Sequence, residues 1–183
     1  MGTPRWSQRS YECLFRYWRN GLIFMMDEGS LYSVVNHKDD WRVALMAKIT
    51  EWMQENESTF IPIVAHWDVE EATLRVPSLA EILAINQADI PHLYLYHPYD
   101  NTVVAYPDKL DDSSKYSPEL IMAWAEMTVL QWILDDMESQ LEHKYFNEET
   151  QQEEFAIPED QRETYRHHIK DEEFRMDLKK KEY

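Results

Sequence analysis

The stretch Leu79–Tyr106, LAEILAINQADIPHLYLYHPYDNTVVAY, changes its pattern twice. With the two residues before it, Pro77-Ser78-Leu79-Ala80-Glu81-Ile82-Leu83 has a Ser78-x-x-Glu81 pair suited to capping, which predicts a short helix. Asp89-Ile90-Pro91-His92 interrupts it. Leu93–Tyr96 then alternates as a strand does, and Thr102–Tyr106 is rich in β-formers. Between them Pro98-Tyr99-Asp100-Asn101 is turn chemistry, so the two runs predict a β-hairpin.

The flanking sequence supplies further elements. Phe60–Ala65 predicts a strand, and Pro62, which cannot donate to a ladder, assigns it to an edge or a strand start. Leu31–Val35 predicts another strand, followed by the polar loop Asn36–Asp40 with Asp39 or Asp40 as helix cap. From Trp41, apolar residues at Val43, Leu45, Met46, Ile49, Trp52 and Met53 recur at helical spacing, and that helix should end near Asn56–Thr59. Ser117-Pro118-Glu119 marks the start of an amphipathic helix through Leu120, Ile121, Trp124, Met127, Leu130, Ile133 and Leu134. Beyond residue 135 acids dominate and apolar residues thin out, which predicts an extension with a helix near Asp160–Lys179. Three regions follow: a basic aromatic arm over 1–29, a domain over 30–135 and an acidic, largely helical extension over 136–183.

The order strand–helix–strand–helix, then Ile-Pro ahead of a hairpin, then a closing helix, resembles the thioredoxin fold over residues 30–134. FIPIVAHWDVEE (Phe60–Glu71) is similar to that family's second central strand with its trailing acid. LAEILAINQADIP (Leu79–Pro91) resembles the helix leading to the family's cis-proline, and SPELIMAWAEM (Ser117–Met127) the closing helix. The resemblance implies a three-layer α/β/α sandwich with Pro91 at the cis-proline position. It also sets Asp39, Asp40, Trp41 and Arg42 where the family carries its two active-site cysteines. Dithiol exchange needs a thiolate and a resolving thiol. Neither is present, since Cys13 is the only cysteine in the chain.

Composition narrows the function further. At 44% hydrophobic residues the chain is rich enough to fold, and no apolar run approaches the roughly 18 residues of a spanning helix. A formal net charge of −17 repels nucleic acid and anionic lipid. All three glycines lie at or before residue 29, which excludes a P-loop, a dinucleotide fingerprint and a G-x-S-x-G elbow. One cysteine excludes an intramolecular disulfide and a multi-cysteine zinc site. No cofactor is expected.

The first two dozen residues run against the overall charge. Arg5, Arg9, Arg16 and Arg19 face only Glu12, interleaved with Trp6, Tyr11, Phe15, Tyr17 and Trp18. Such a segment is similar in composition to a mitochondrial transit segment, retained here as an arm, and equally suits docking on an acidic partner. Met1-Gly2 does not make a myristoylation signal, because Trp6 stands where Ser or Thr is required. Arg5, Trp6, Arg9, Arg16, Trp18 and Arg19 are the candidate partner-binding residues, since Trp and Arg are enriched at interface hot spots.

Other polar groupings carry blander readings. His37 with Asp39 and Asp40 reads as a capping loop, and His66 with Asp68 and His97 lacks a third metal ligand at suitable spacing. His167 and His168 point to different faces of a helix. The acid runs at 148–154 and 171–173 lack an EF-hand pattern, so specific Ca²⁺ binding is a minor alternative to a solvated or partner-facing surface. The expected function is a non-catalytic accessory subunit of a large protein assembly, mitochondrial and of respiratory-chain type, beside a membrane complex without spanning it. The alternatives are a cytoplasmic or ciliary scaffold, a free peptide-binding or chaperone-like module, and an enzyme using Cys13 as a lone nucleophile.

Overall fold

The computed structural model describes residues 4, 6–26, 41–66, 79–86, 89, 92–108 and 116–182. The chain is mixed α/β and divides into two compact units, residues 1–119 and 120–183. The first contains α1 (Gln8–Tyr11, continuing as a π-helical turn over Glu12–Arg16), β1 (Gly21–Met26), α2 (Trp41–Glu55) and β2 (Ile61–His66). A short α3 (Leu79–Ile82) and the hairpin strands β3 (His92–His97) and β4 (Thr102–Ala105) follow. The strands form one sheet in the order β2-β1-β3-β4. β1 runs parallel to β2, pairing Gly21 with Ile61 and Phe24 with Val64, and antiparallel to β3, pairing Gly21 with Tyr96.

Strand β1 lies in the stretch that charge alone assigns to an arm. Leu22, Ile23, Phe24 and Met25 are each fully buried. Four successive buried residues on a strand mean that both faces are covered, and each such side chain contributes about 1.5–3 kcal/mol of burial. Ile23 and Met25 join Ile63, Ala65, Tyr94 and Tyr96 in a cluster with Trp6 and Leu14 from the N-terminal segment and Leu79, Ala80, Leu83 and Ile85 from around α3. Leu22, Phe24, Leu93 and Leu95 alternate onto the other face and are equally buried. Helix α2 lies against β2 and turns in Met46, Ile49 and Met53, none of which belongs to the first cluster.

The N-terminal segment also completes the sheet's edge. β2 lies at the end of the four-stranded order, where Pro62 is tolerated. The Val64 N–H donates to the Pro4 carbonyl (2.9 Å) and the Trp6 N–H donates to the Val64 carbonyl (3.0 Å). An edge that the sequence pattern leaves open is thus covered at Val64 by the chain itself.

Helix ends show the consequence of the missing glycines. α2 and α3 both close in Schellman fashion, with Ser58 N–H donating to Met53 O (2.9 Å) and Ile85 N–H to Ala80 O (2.9 Å). The left-handed residues are Glu57 (φ 51°) and Ala84 (φ 53°), where glycine is usual. Each carries strain of about 1 kcal/mol.

The second unit begins at Leu120, within α4 (Pro118–Glu142), and adds β5 (Lys144–Asn147), β6 (Gln152–Phe155) and α5 (Glu159–Glu182). α4 runs unbroken through residue 135, where the composition shift had drawn a boundary. Within this unit α4 and α5 are antiparallel: Lys179 pairs with Glu126 (2.6 Å), and Tyr165 Oη donates to Gln140 Oε1 (3.2 Å). Between them lies a narrow core of Leu134, Ile169 and Met176, flanked by Met127, Leu130, Met137, Leu141 and Tyr165. Acids at Glu159 and Asp160 and lysines at 179–181 complement the α5 dipole. The β5–β6 hairpin was invisible to period-based reading. Its turn is organised by Glu154, whose carboxylate accepts from Asn147 Nδ2 (3.1 Å), Tyr145 Oη (3.3 Å) and Thr150 Oγ1 (3.0 Å). The strand expected at Leu31–Val35 and the Ser78 cap lie outside the described residues.

Candidate functional site

Helix α2 opens at Trp41 and Arg42, the two described residues of the stretch Asp39–Arg42; Asp39, Asp40 and Pro91 lie outside the described residues. The Trp41 indole stacks on the buried Tyr116 ring, centroids 5.7 Å apart and planes 12° from parallel. Tyr106 also packs on Tyr116, its ring tilted 60° with centroids 5.8 Å apart. The Arg42 guanidinium lies 5.9 Å from the Trp41 ring centroid, within cation–π range.

This aromatic stack is tied to the sheet at the start of β3. The Tyr106 N–H donates to the Leu93 carbonyl (2.9 Å), and His92 Nε2 lies 2.8 Å from the Tyr106 carbonyl, a contact in which the imidazole nitrogen is the donor. The His92 ring meets Tyr94 edge-on at 5.5 Å. The phenols of β3 are poor acids: burial, and then Asp89, raises Tyr94, while burial and Asp100 push Tyr96 up to about 12. Among the described residues no group of three or more His, Cys, Asp or Glu is placed to hold a metal ion.

The candidate partner-binding residues divide. Arg5 lies outside the described residues. Trp6 is a core residue, 5% exposed, meeting Tyr11 and Phe15 edge-on at 6.1 and 6.3 Å, so it is not a surface anchor. Its partner in sequence pattern, Trp18, is 59% exposed. Arg9 and Arg16 are exposed on α1. The exposed Arg19 is anchored, its Nε and Nη2 donating to the Thr59 carbonyl at 3.3 and 3.0 Å.

Tyr99 joins this group, and sequence reasoning passed it over as a turn residue. It is 78% exposed and meets Trp18 edge-on, with centroids 5.8 Å apart. An exposed aromatic inside a turn of otherwise polar residues was the available signal. Comparison with protein-family models, with curated proteins and with solved structures finds no match for this chain.

Proposed function

We propose that this chain is a redox-inactive, thioredoxin-like subunit that serves a larger protein assembly as an interaction scaffold, in a mitochondrial setting. Supporting the thioredoxin-like reading are the order β2-β1-β3-β4, the parallel β1–β2 pair with α2 between them in sequence, and the antiparallel β3–β4 hairpin followed by a helix. The observation that carries the functional reading is at the head of α2. Of the stretch Asp39–Arg42 that the resemblance sets on the two-cysteine motif, the described Trp41 carries no thiol and stacks on Tyr116. The lone Cys13 belongs to α1 instead. Stacked rings can present a surface, and a chain with one cysteine lacks the second thiol that dithiol exchange needs. The mitochondrial setting is supported only by the Arg-rich, acid-poor composition of residues 1–24.

The test is size-exclusion chromatography with mass spectrometry on the affinity-tagged protein from its own cells. Elution in a large species with stoichiometric partners is the expected result. A monomer of about 22.1 kDa, the mass of the chain alone, would refute the subunit reading.

A further inference from the structure

We propose that the corner where the exposed Trp18 meets Tyr99, with the exposed Arg16, Tyr17 and Arg19 adjoining Trp18 in the chain, docks an acidic segment of a partner protein; this rests on the interaction-subunit reading and names the surface and the partner's chemistry. The three rings come from two places in the chain, the segment leaving α1 and the β3–β4 turn, and all are exposed: 63% for Tyr17, 59% for Trp18 and 78% for Tyr99. Singly exposed apolar residues need no explanation, but a group of Trp and Tyr beside arginine has the composition of an interface hot spot.

The corner is also preorganised. Trp18 is held at φ 55°, a left-handed conformation that a bulky residue rarely adopts. The Tyr99 ring packs at a tilt on the His97 ring (5.7 Å), and His97 Nδ1 is paired with Asp100 Oδ1 (2.8 Å). Arg19 is steered by its two hydrogen bonds to Thr59. Rings and guanidinium already in place lose little freedom on binding.

Charge selects the occupant. Along residues 8–19 the exposed cations Arg9, Arg16 and Arg19 meet one acid, Glu12, which accepts from Gln8 Nε2 (3.4 Å). Asp100, beside Tyr99, adds a second acid, accepting from the Thr102 hydroxyl (2.6 Å) and N–H (3.1 Å), so the three arginines still outnumber the acids. At physiological salt a charge is felt over about 8 Å. A short acidic segment would therefore sense this basic corner, whereas an extended polyanion such as nucleic acid would also meet the net −17 of the whole chain. Carboxylates on the partner would pair with Arg16 and Arg19, and its apolar side chains would cover Trp18 and Tyr99.

The experiment uses the full chain and a fluorescently labelled random copolymer of glutamate and tyrosine (4:1) as the probe, read by anisotropy, with labelled oligothymidylate as the competing polyanion. Saturable copolymer binding that weakens with salt is expected, together with losses of about tenfold or more in Arg16→Glu and in Trp18→Gly. Trp18→Gly relieves the left-handed backbone, so lost binding in a variant that melts no lower than wild type is not unfolding. Absence of saturable binding overturns the inference, as do variants that bind like wild type, oligothymidylate binding as tightly as the copolymer, or sedimentation showing the corner occupied by a second copy of the chain. In cells, variants that stay in the large assembly with wild type overturn the docking corner and leave the subunit reading intact. A wild-type monomer that nevertheless binds the copolymer sinks the subunit reading and supports the corner.

Discussion

Gly21→Ala tests whether the N-terminal segment is truly built into the sheet. Gly21 opens β1, and Leu14 of the π-helical turn lies directly over it. A Cβ at position 21 would sit 2.6 Å from Leu14 Cδ2, 3.6 Å from Leu14 Cδ1 and 3.5 Å from Tyr96 Cβ. The first contact is about 1 Å inside an ordinary carbon–carbon approach. Leu14 is fully buried in a cluster with Trp6, flanked by the partly buried Tyr11 and Phe15, so it has no open space to retreat into. Overpacking of this kind costs about 1–3 kcal/mol. Leu14→Ala alone should cost about 2–5 kcal/mol through the lost side chain and the cavity left behind. In the double variant the added methyl occupies part of that cavity, so the combined loss should fall short of the two single losses together by about 1 kcal/mol or more. Urea unfolding followed by far-ultraviolet circular dichroism gives these values from midpoint shifts at constant slope. Strict additivity, or a Gly21→Ala protein as stable as wild type, would refute the packing of Leu14 on β1.

Three other outcomes are expected. Ala84→Gly, at a left-handed helix terminus, should stabilise the first unit by about 0.5–1 kcal/mol in the same assay, and Trp18→Gly should act in the same direction; a loss in both would show that the left-handed geometry is not populated. Arg162→Met should destabilise the helix–hairpin unit by about 2 kcal/mol, because the buried Arg162 donates to the Leu141 carbonyl (2.7 Å) and covers the Phe155 ring at 3.8 Å. Hydrogen exchange at the 144–155 amides reads that loss, and unchanged protection would contradict it. The Glu154 carboxyl is held below its ordinary value of 4.5 by hydrogen bonds from Asn147, Thr150 and Tyr145. With the folded-state pKa depressed, its contribution is whole above pH 4.5 and is lost as pH falls through the lower folded value, so hairpin protection should drop there in wild type and not in Glu154→Gln.

The sequence by itself determined the elements whose pattern is local. Helical spacing from Trp41 gave α2, Pro98–Asn101 gave the β3–β4 hairpin, and Ser117-Pro118-Glu119 gave the start of α4, each within a residue or two of its observed place. A count of one cysteine and three glycines removed dithiol exchange and phosphate-cradling loops without reference to any fold. Tertiary structure alone decided the fate of residues 4–26. Their arginines and aromatics read as an arm because charge is counted per segment, whereas burial is assigned per side chain. Trp6 and Leu14 face inward while Arg9, Arg16 and Trp18, from the same stretch, face water. The run Leu22–Met26 is too short and too uniformly apolar to show a period, so only pairing with Ile61–His66 and His92–Tyr96 makes it the inner strand. The meeting of Trp18 with Tyr99 is of the same kind. Eighty residues separate them, and what joins them is the antiparallel pairing of β1 with β3, which brings the segment before β1 to the end of the sheet where the β3–β4 turn lies.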